Sequence, residues 1–156
     1  GIVSNKPFEK RYQINHTLLT KYQEKVIYIP NNPTYHDYVS VLGKPENTII
    51  TCHGWLRVIP TQVCKEYNIF NGHPGLVDKY PELRGKDPQL KVQDGSYETV
   101  GSVIHKVTPK VDAGKIIKSK EIEFDNFTKN NIFEVLADVS LSLWVEFINE
   151  IKWLKG

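Results

Sequence analysis

Three residue types set the chemical possibilities of this chain. They are Asn71 and His73 in the run Asn71-Gly72-His73-Pro74-Gly75-Leu76, and Asp112 in Val111-Asp112-Ala113-Gly114. A carboxamide donates a hydrogen bond, an imidazole moves a proton near neutral pH, and a carboxylate orients and charges an imidazole. Together these roles meet the needs of acyl transfer to an amine without a covalent intermediate. Taken singly, each residue also reads as structure. Asn71 suits a turn, His73 a hydrogen-bonded loop position, and Asp112 before Ala113-Gly114 a hairpin. His105 inside an alternating run reads as a packed or edge histidine, His53 as a strand-end residue, and His16 and His36 as helix residues. The constellation is stronger than its members because all three types fall in expected loops at strand ends.

Competing chemistries lack their motifs. No GxGxxG follows the first strand, no GxxxxGK[ST] is present, and no GxSxG elbow occurs. Cys52 and Cys64 have no CxxC partners, and with His53 and His73 they lack metal-ligand spacing, so no metal is expected.

The elements that must position the three residues follow from periodicity. Gly1–Ser4, Val26–Ile29, Thr48–Cys52 and Ile69–Asn71 read as strands, and 12–25, 34–41 and 60–67 as helices, with Thr34 a cap. Residues 72–85 are turn-rich and 86–93 helical. Val100–Val107 and Lys115–Phe124 read as strands joined by a loop that carries Asp112. From Thr128 apolar residues at Ile132, Val135, Leu136, Val139, Leu143, Phe147, Ile151 and Leu154 predict one long amphipathic helix. Strand and helix alternate in the first half, which predicts an α/β fold with a Rossmann-like, mostly parallel sheet flanked by helices. Ligands of such sheets bind at the carboxyl ends of the strands.

At 156 residues the chain is expected to form a single domain over 1–156 with a real core. Twenty Lys and Arg against 18 Asp and Glu leave a formal charge of +2, and no basic block with interleaved aromatics predicts a nucleic-acid partner. No apolar run approaches the roughly 18 residues of a membrane span, and no secretory signal is visible, so a cytoplasmic protein is expected. Cys52 in an apolar run reads as a reduced core thiol. Trp144 and Trp153 are candidates for a partner surface; the oligomeric state is not legible.

Assembled in order, these segments resemble the formyltetrahydrofolate-dependent formyltransferases. That family includes phosphoribosylglycinamide, methionyl-tRNA and sugar N-formyltransferases. The resemblance rests on Asn71-Gly72-His73-Pro74-Gly75-Leu76 through Pro81, and on Gly101-Ser102-Val103-Ile104-His105 followed by Val111-Asp112-Ala113-Gly114. Upstream, Thr51-Cys52-His53-Gly54-Trp55-Leu56-Arg57-Val58 is similar to a further family segment. The similarity is clearest from 48 to 124.

The resemblance implies the formyltransferase fold and a catalytic trio of Asn71, His73 and Asp112, with Asp112 raising the His73 pKa. It implies 10-formyltetrahydrofolate as cosubstrate, held by Leu56, Arg57 and Val58 on one side and by Val107, Lys110 and Val111 on the other. Ser4, Asn5 and Gly75 would touch the acceptor, a small-molecule amine such as glycinamide ribotide or an aminated nucleotide sugar. Two segments depart from the purine-pathway pattern: Val3-Ser4-Asn5-Lys6-Pro7 lacks its glycines, and Ser140-Leu141 stands where an acid–His pair is usual. Arg84-Gly85 is similar to the tRNA and sugar branches, while the tRNA enzyme's appended domain is not expected in a chain ending at Gly156. The alternatives are a non-catalytic folate-binding module of the same fold, or a formyltetrahydrofolate hydrolase, whose usual N-terminal regulatory domain is not expected here.

Overall fold

Short β-branched runs punctuated by Pro, Gly and Asn become short strands, and the amphipathic C-terminal stretch becomes the long helix. The computed structural model describes residues 1–6, 10, 17, 20, 21 and 25–155, with the side chains of 152–155 left out. The helix expected over 12–25, with Tyr12, Ile14, His16, Leu18, Leu19 and Tyr22, and the Trp153 side chain therefore lie outside the described residues. The chain divides into two compact units, residues 1–48 with 56–67, and residues 49–55 with 68–156.

In the first unit, β1 (Ile2–Ser4) pairs in parallel with β2 (Val26–Tyr28). Helix α1 (Tyr35–Val41) begins at Thr34, whose side chain accepts from the Asp37 amide while Asp37 accepts from the Thr34 amide. This reciprocal box satisfies two otherwise orphaned donors. A single turn of 3-10 helix covers Pro45–Asn47, and α2 (Thr61–Glu66) follows Pro60. The Arg57 guanidinium grips Asn31, with Nε donating to its carbonyl at 2.9 Å and Nη2 to its Oδ1 at 2.7 Å.

The second unit holds a four-stranded sheet in the order β3 (Ile49–Cys52), β4 (Asn68–His73), β5 (Thr99–Lys106), β6 (Ile116–Glu123). β3 and β4 are parallel, and β4–β5 and β5–β6 are antiparallel. The α/β class with parallel pairing in the first half stands, and the second half closes as an antiparallel meander. A 3-10 turn (Pro81–Leu83) and α3 (Pro88–Asp94) lie between β4 and β5. After β6 come α4 (Asn126–Asn130) and α5 (Ile132–Lys155).

The helix expected to run unbroken from Thr128 is interrupted. Asp125 caps α4 by accepting from the Thr128 amide, and Asn131 leaves helical geometry before α5 begins. Leu143, Trp144 and Phe147 of helix α5 pack on Ile104, and in a second cluster Ile132 and Leu136 join Leu76, Val77, Leu83, Val100 and Val103. Each such fully buried aliphatic side chain contributes roughly 1.5–3 kcal/mol before entropic costs. Trp144 is buried against Phe147 and the His53 ring, which makes it a core residue and not the partner-surface residue expected. Cys52 and Cys64 are both buried. No helix among the described residues is long and apolar enough to cross a membrane.

Candidate active site

Strand β4 runs two residues past the expected end at Asn71, so His73 lies on a strand and not in the loop expected from the turn-rich sequence. The reason is non-local. Phe70, Asn71, Gly72 and His73 pair with Lys106, His105, Ile104 and Val103 of β5, and that ladder extends the strand past the point where local pattern fails. Strand alternation puts Asn71 and His73 on one face, about 7 Å apart along the chain, with Gly72 on the other. Gly72 is required there. A Cβ would stand 2.6 Å from Trp144 Nε1, so α5 packs directly on the backbone behind the site. His105 and Val103, opposite Asn71 and His73, share the site face.

Asp112 reaches the same face from the loop between β5 and β6. Its φ of 47° is left-handed, a conformation that Asp tolerates better than most residues. The loop is pulled tight against the end of β5. The Lys106 amide donates to the Lys115 carbonyl at 2.9 Å, and the Val107 amide donates to the Ile69 carbonyl at 2.8 Å. Gly114 permits this approach, since a Cβ there would fall 1.6 Å from the Lys106 carbonyl oxygen.

The structure thus brings His73 and Asp112 together, with Nδ1 3.4 Å from Oδ2 and both side chains nearly inaccessible. His73 Nε2 donates to the Leu83 carbonyl at 2.7 Å. The Asp112 carboxylate also accepts from the Gly85 amide at 3.0 Å, and Arg84 Nε donates to the Asp112 carbonyl at 3.2 Å. Lys91 Nζ donates to the Glu82 and Arg84 carbonyls, which fixes the 82–85 backbone from α3. Among the described residues no hydrogen-bond partner engages the half-buried Asn71 carboxamide, so its donors stand available on the face that His73 shares.

Burial pushes the His73 pKa down, and the Leu83 carbonyl and Asp112 only partly oppose it. Asp112 does raise His73 as expected, yet desolvation outweighs it and the net direction is reversed. For Asp112 itself burial pushes upward, but His105, His73 and the Gly85 amide together hold the carboxyl below its usual range. The pair at rest is therefore an ionised carboxylate facing an imidazole that resists protonation.

A family sequence model described as formyl transferase matches residues 3–146. The chain belongs to the formyl transferase family. Methionyl-tRNA formyltransferase of Thermotoga maritima is 29% identical over 110 residues, covering 70% of this chain and 34% of that protein. Phosphoribosylglycinamide formyltransferase of Dictyostelium discoideum is 32% identical over 82 residues, covering 47% of this chain and 40% of that protein. The matched stretches thus span about a third and two fifths of these two curated relatives. Among solved structures, phosphoribosylglycinamide formyltransferase from Campylobacter jejuni superposes with a TM-score of 0.72 at 15% identity, covering 96% of this chain and 78% of that one. That likeness establishes the formyltransferase fold.

The remaining expected site residues divide between the units. In the first, Leu56 and Val58 expose apolar side chains, whereas the Arg57 guanidinium is committed to Asn31. Asn5 also donates to Asn31, at 3.3 Å to its Oδ1, and Ser4 Oγ accepts from the Lys6 amide at 3.1 Å. In the second, Val111 is exposed and the Lys110 carbonyl accepts from Thr108 Oγ1. Gly75 is buried against the His73 ring, where a Cβ would meet Cδ2 at 3.3 Å, so it shapes the imidazole's seat. His53 stacks on Trp144 and bonds Thr51 Oγ1, and burial lowers its pKa. Two contributors escaped the sequence reading. The Leu83 carbonyl carries no side-chain signature at all, and His105, read as a packed strand residue, also faces Asp112. Among the described residues no cluster of three or more His, Cys, Asp or Glu side chains has metal-binding geometry.

Proposed function

We propose that this chain is the catalytic domain of an N-formyltransferase, a single functional unit over 1–156 acting in the cytoplasm. It would carry a formyl group from 10-formyltetrahydrofolate to the amine of a small-molecule acceptor, glycinamide ribotide or an aminated nucleotide sugar. The observation that carries this reading is the convergence of His73 and Asp112 from β4 and the 107–115 loop, on the face that Asn71 shares.

The acceptor amine attacks the formyl carbon, a new C–N bond forms, and the carbonyl oxygen becomes an oxyanion. The Asn71 amide and the His73 Nε2–H donate to that oxygen, each such donor contributing roughly 2.7–4 kcal/mol to the barrier reduction. The Leu83 carbonyl now accepts from Nε2, so the substrate oxygen takes over a donor already held in place. Asp112 stabilises the imidazolium as a proton passes from the amine, through His73, to N10 of the folate. The C–N10 bond then breaks, giving the formamide and tetrahydrofolate. Exposed apolar side chains at Leu56 and Val58 of the first unit suit a flat pterin ring, and there the Arg57 guanidinium holds Asn31.

The test is an acceptor screen with 10-formyltetrahydrofolate and glycinamide ribotide, aminated nucleotide sugars and aminoacyl-tRNA. Formylation of one small-molecule amine supports the proposal. Folate binding without turnover of any amine identifies a binding module, and formate release without an acceptor identifies a hydrolase.

A further inference from the structure

Asp112 faces two imidazoles. His105, almost wholly buried on β5, places Nε2 3.3 Å from Asp112 Oδ1, while His73 approaches Oδ2. The ladder between β5 and β6 shifts register between Ile104 and His105, an irregularity of the kind that re-aims a strand side chain. His105 Nε2 meets no hydrogen bond of good geometry among the described residues, so the Asp112 contact is its polar environment.

The tautomers follow from the other two nitrogens. His73 Nε2 faces the Leu83 carbonyl, and His105 Nδ1 faces the Lys106 carbonyl at 3.0 Å. A carbonyl only accepts, so each of these nitrogens carries a hydrogen. In a neutral ring the nitrogen that faces Asp112 is then a bare lone pair. Two neutral rings would aim two lone pairs at one carboxylate. Two charged rings would bury a net positive trio under the further charges of Lys91 on α3 and Arg84 on the strap above Asp112. One proton shared between the rings is the arrangement that balances the carboxylate.

We infer that His105 is a positioning residue that shares Asp112 with His73 as the second seat for a single proton and fixes the carboxylate through Oδ1. When the proton sits on His105 Nε2, His73 is neutral and turns its Nδ1 lone pair to the carboxylate; when the proton moves to His73 Nδ1 the roles exchange. In either state the trio carries one negative and one positive charge. The inference takes from the proposed function only that His73 and Asp112 form the site.

Ring 15N–1H correlation spectra of the whole chain, recorded without ligand from pH 5 to 9, test it. In the wild type the two rings protonate in linked steps, as coupled groups do. In His105→Phe and His105→Gln, His73 titrates in a single step displaced to higher pH, because its like-charged neighbour is gone. Gln keeps a donor toward Asp112 and guards against a Phe variant that fails to fold. Superimposable His73 curves in wild type and Gln variant, or a His105 ring that stays neutral throughout, would overturn the inference. With an acceptor in hand, kcat falls on the order of tenfold in the Phe variant at unchanged KM, and Gln restores most of it. Equal kcat in the two variants overturns the positioning role. Linked titration in a protein that formylates no amine leaves the shared proton standing and removes the proposed function.

Discussion

Gly114→Ala is the sharpest test of how the 107–115 loop is built. The added Cβ would lie 1.6 Å from the Lys106 carbonyl oxygen and 2.8 Å from its carbon. Carbon–oxygen contacts settle near 3.3 Å at closest, so the two backbones must part by about 1.7 Å. Both are main chain, so no rotamer change relieves the overlap. Parting them breaks the bond from the Lys106 amide to the Lys115 carbonyl, a loss of about 1 kcal/mol. Displaced packing adds about 1–3 kcal/mol. A total of about 2–4 kcal/mol lowers Tm by roughly 5–15 °C for a chain of this size. Asp112 lies two residues before Gly114 and moves with the loop, and a displacement of about 1 Å at a catalytic contact costs on the order of a hundredfold in rate. Thermal unfolding by circular dichroism reads the first effect and kcat the second. A variant whose Tm matches the wild type within about 1 °C would refute the close approach of the two backbones.

Three further outcomes follow from the same geometry. Gly72→Ala drives a methyl into Trp144 and costs about 1–3 kcal/mol in urea unfolding, with a change in tryptophan emission as α5 shifts. Asp112→Asn preserves shape and the Gly85 contact but removes the charge; kcat falls on the order of 10²–10⁴-fold, as in other imidazole–carboxylate pairs, while the folate Kd measured by titration is unchanged. Burial depresses the folded-state pKa of His73 below its ordinary 6.5, so the unfolded chain binds the proton first. Stability is therefore untouched by His73 above that pH and declines as pH falls below it. His73→Gln flattens this decline in denaturant titrations, though not completely, because His53 is depressed by burial in the same direction.

The sequence showed the residue types of the site better than their geometry. Val111-Asp112-Ala113-Gly114 announces a tight turn because Asp and Gly suit what it demands: a left-handed Asp112 and a Gly114 without Cβ. The strand–helix alternation and the α5 stripe were legible for the same local reason, as was the Thr34 cap. Asn71 was expected to end its strand and His73 to lie in the loop beyond, because Gly72, Pro74 and Gly75 dominate the local pattern. Only the distant β5 ladder shows that β4 continues to His73. The Arg57–Asn31 contact was not legible, because Asn31 is remote in sequence and a guanidinium gives no sign of which acceptor it will find. The raising effect of Asp112 on the His73 pKa was legible because the carboxylate is visible in the sequence; the larger lowering by burial among packed neighbours was not. His105 was correctly read as packed; its second face, toward Asp112, depends on a register shift that no residue pattern marks.

The most direct measurement of the central claim is formyl transfer by His73→Ala alongside folate binding by the same variant. In that variant 10-formyltetrahydrofolate still binds with a Kd close to wild type while transfer to the accepted amine disappears. A His73→Ala protein that formylates the amine at a rate near the wild type would contradict that claim.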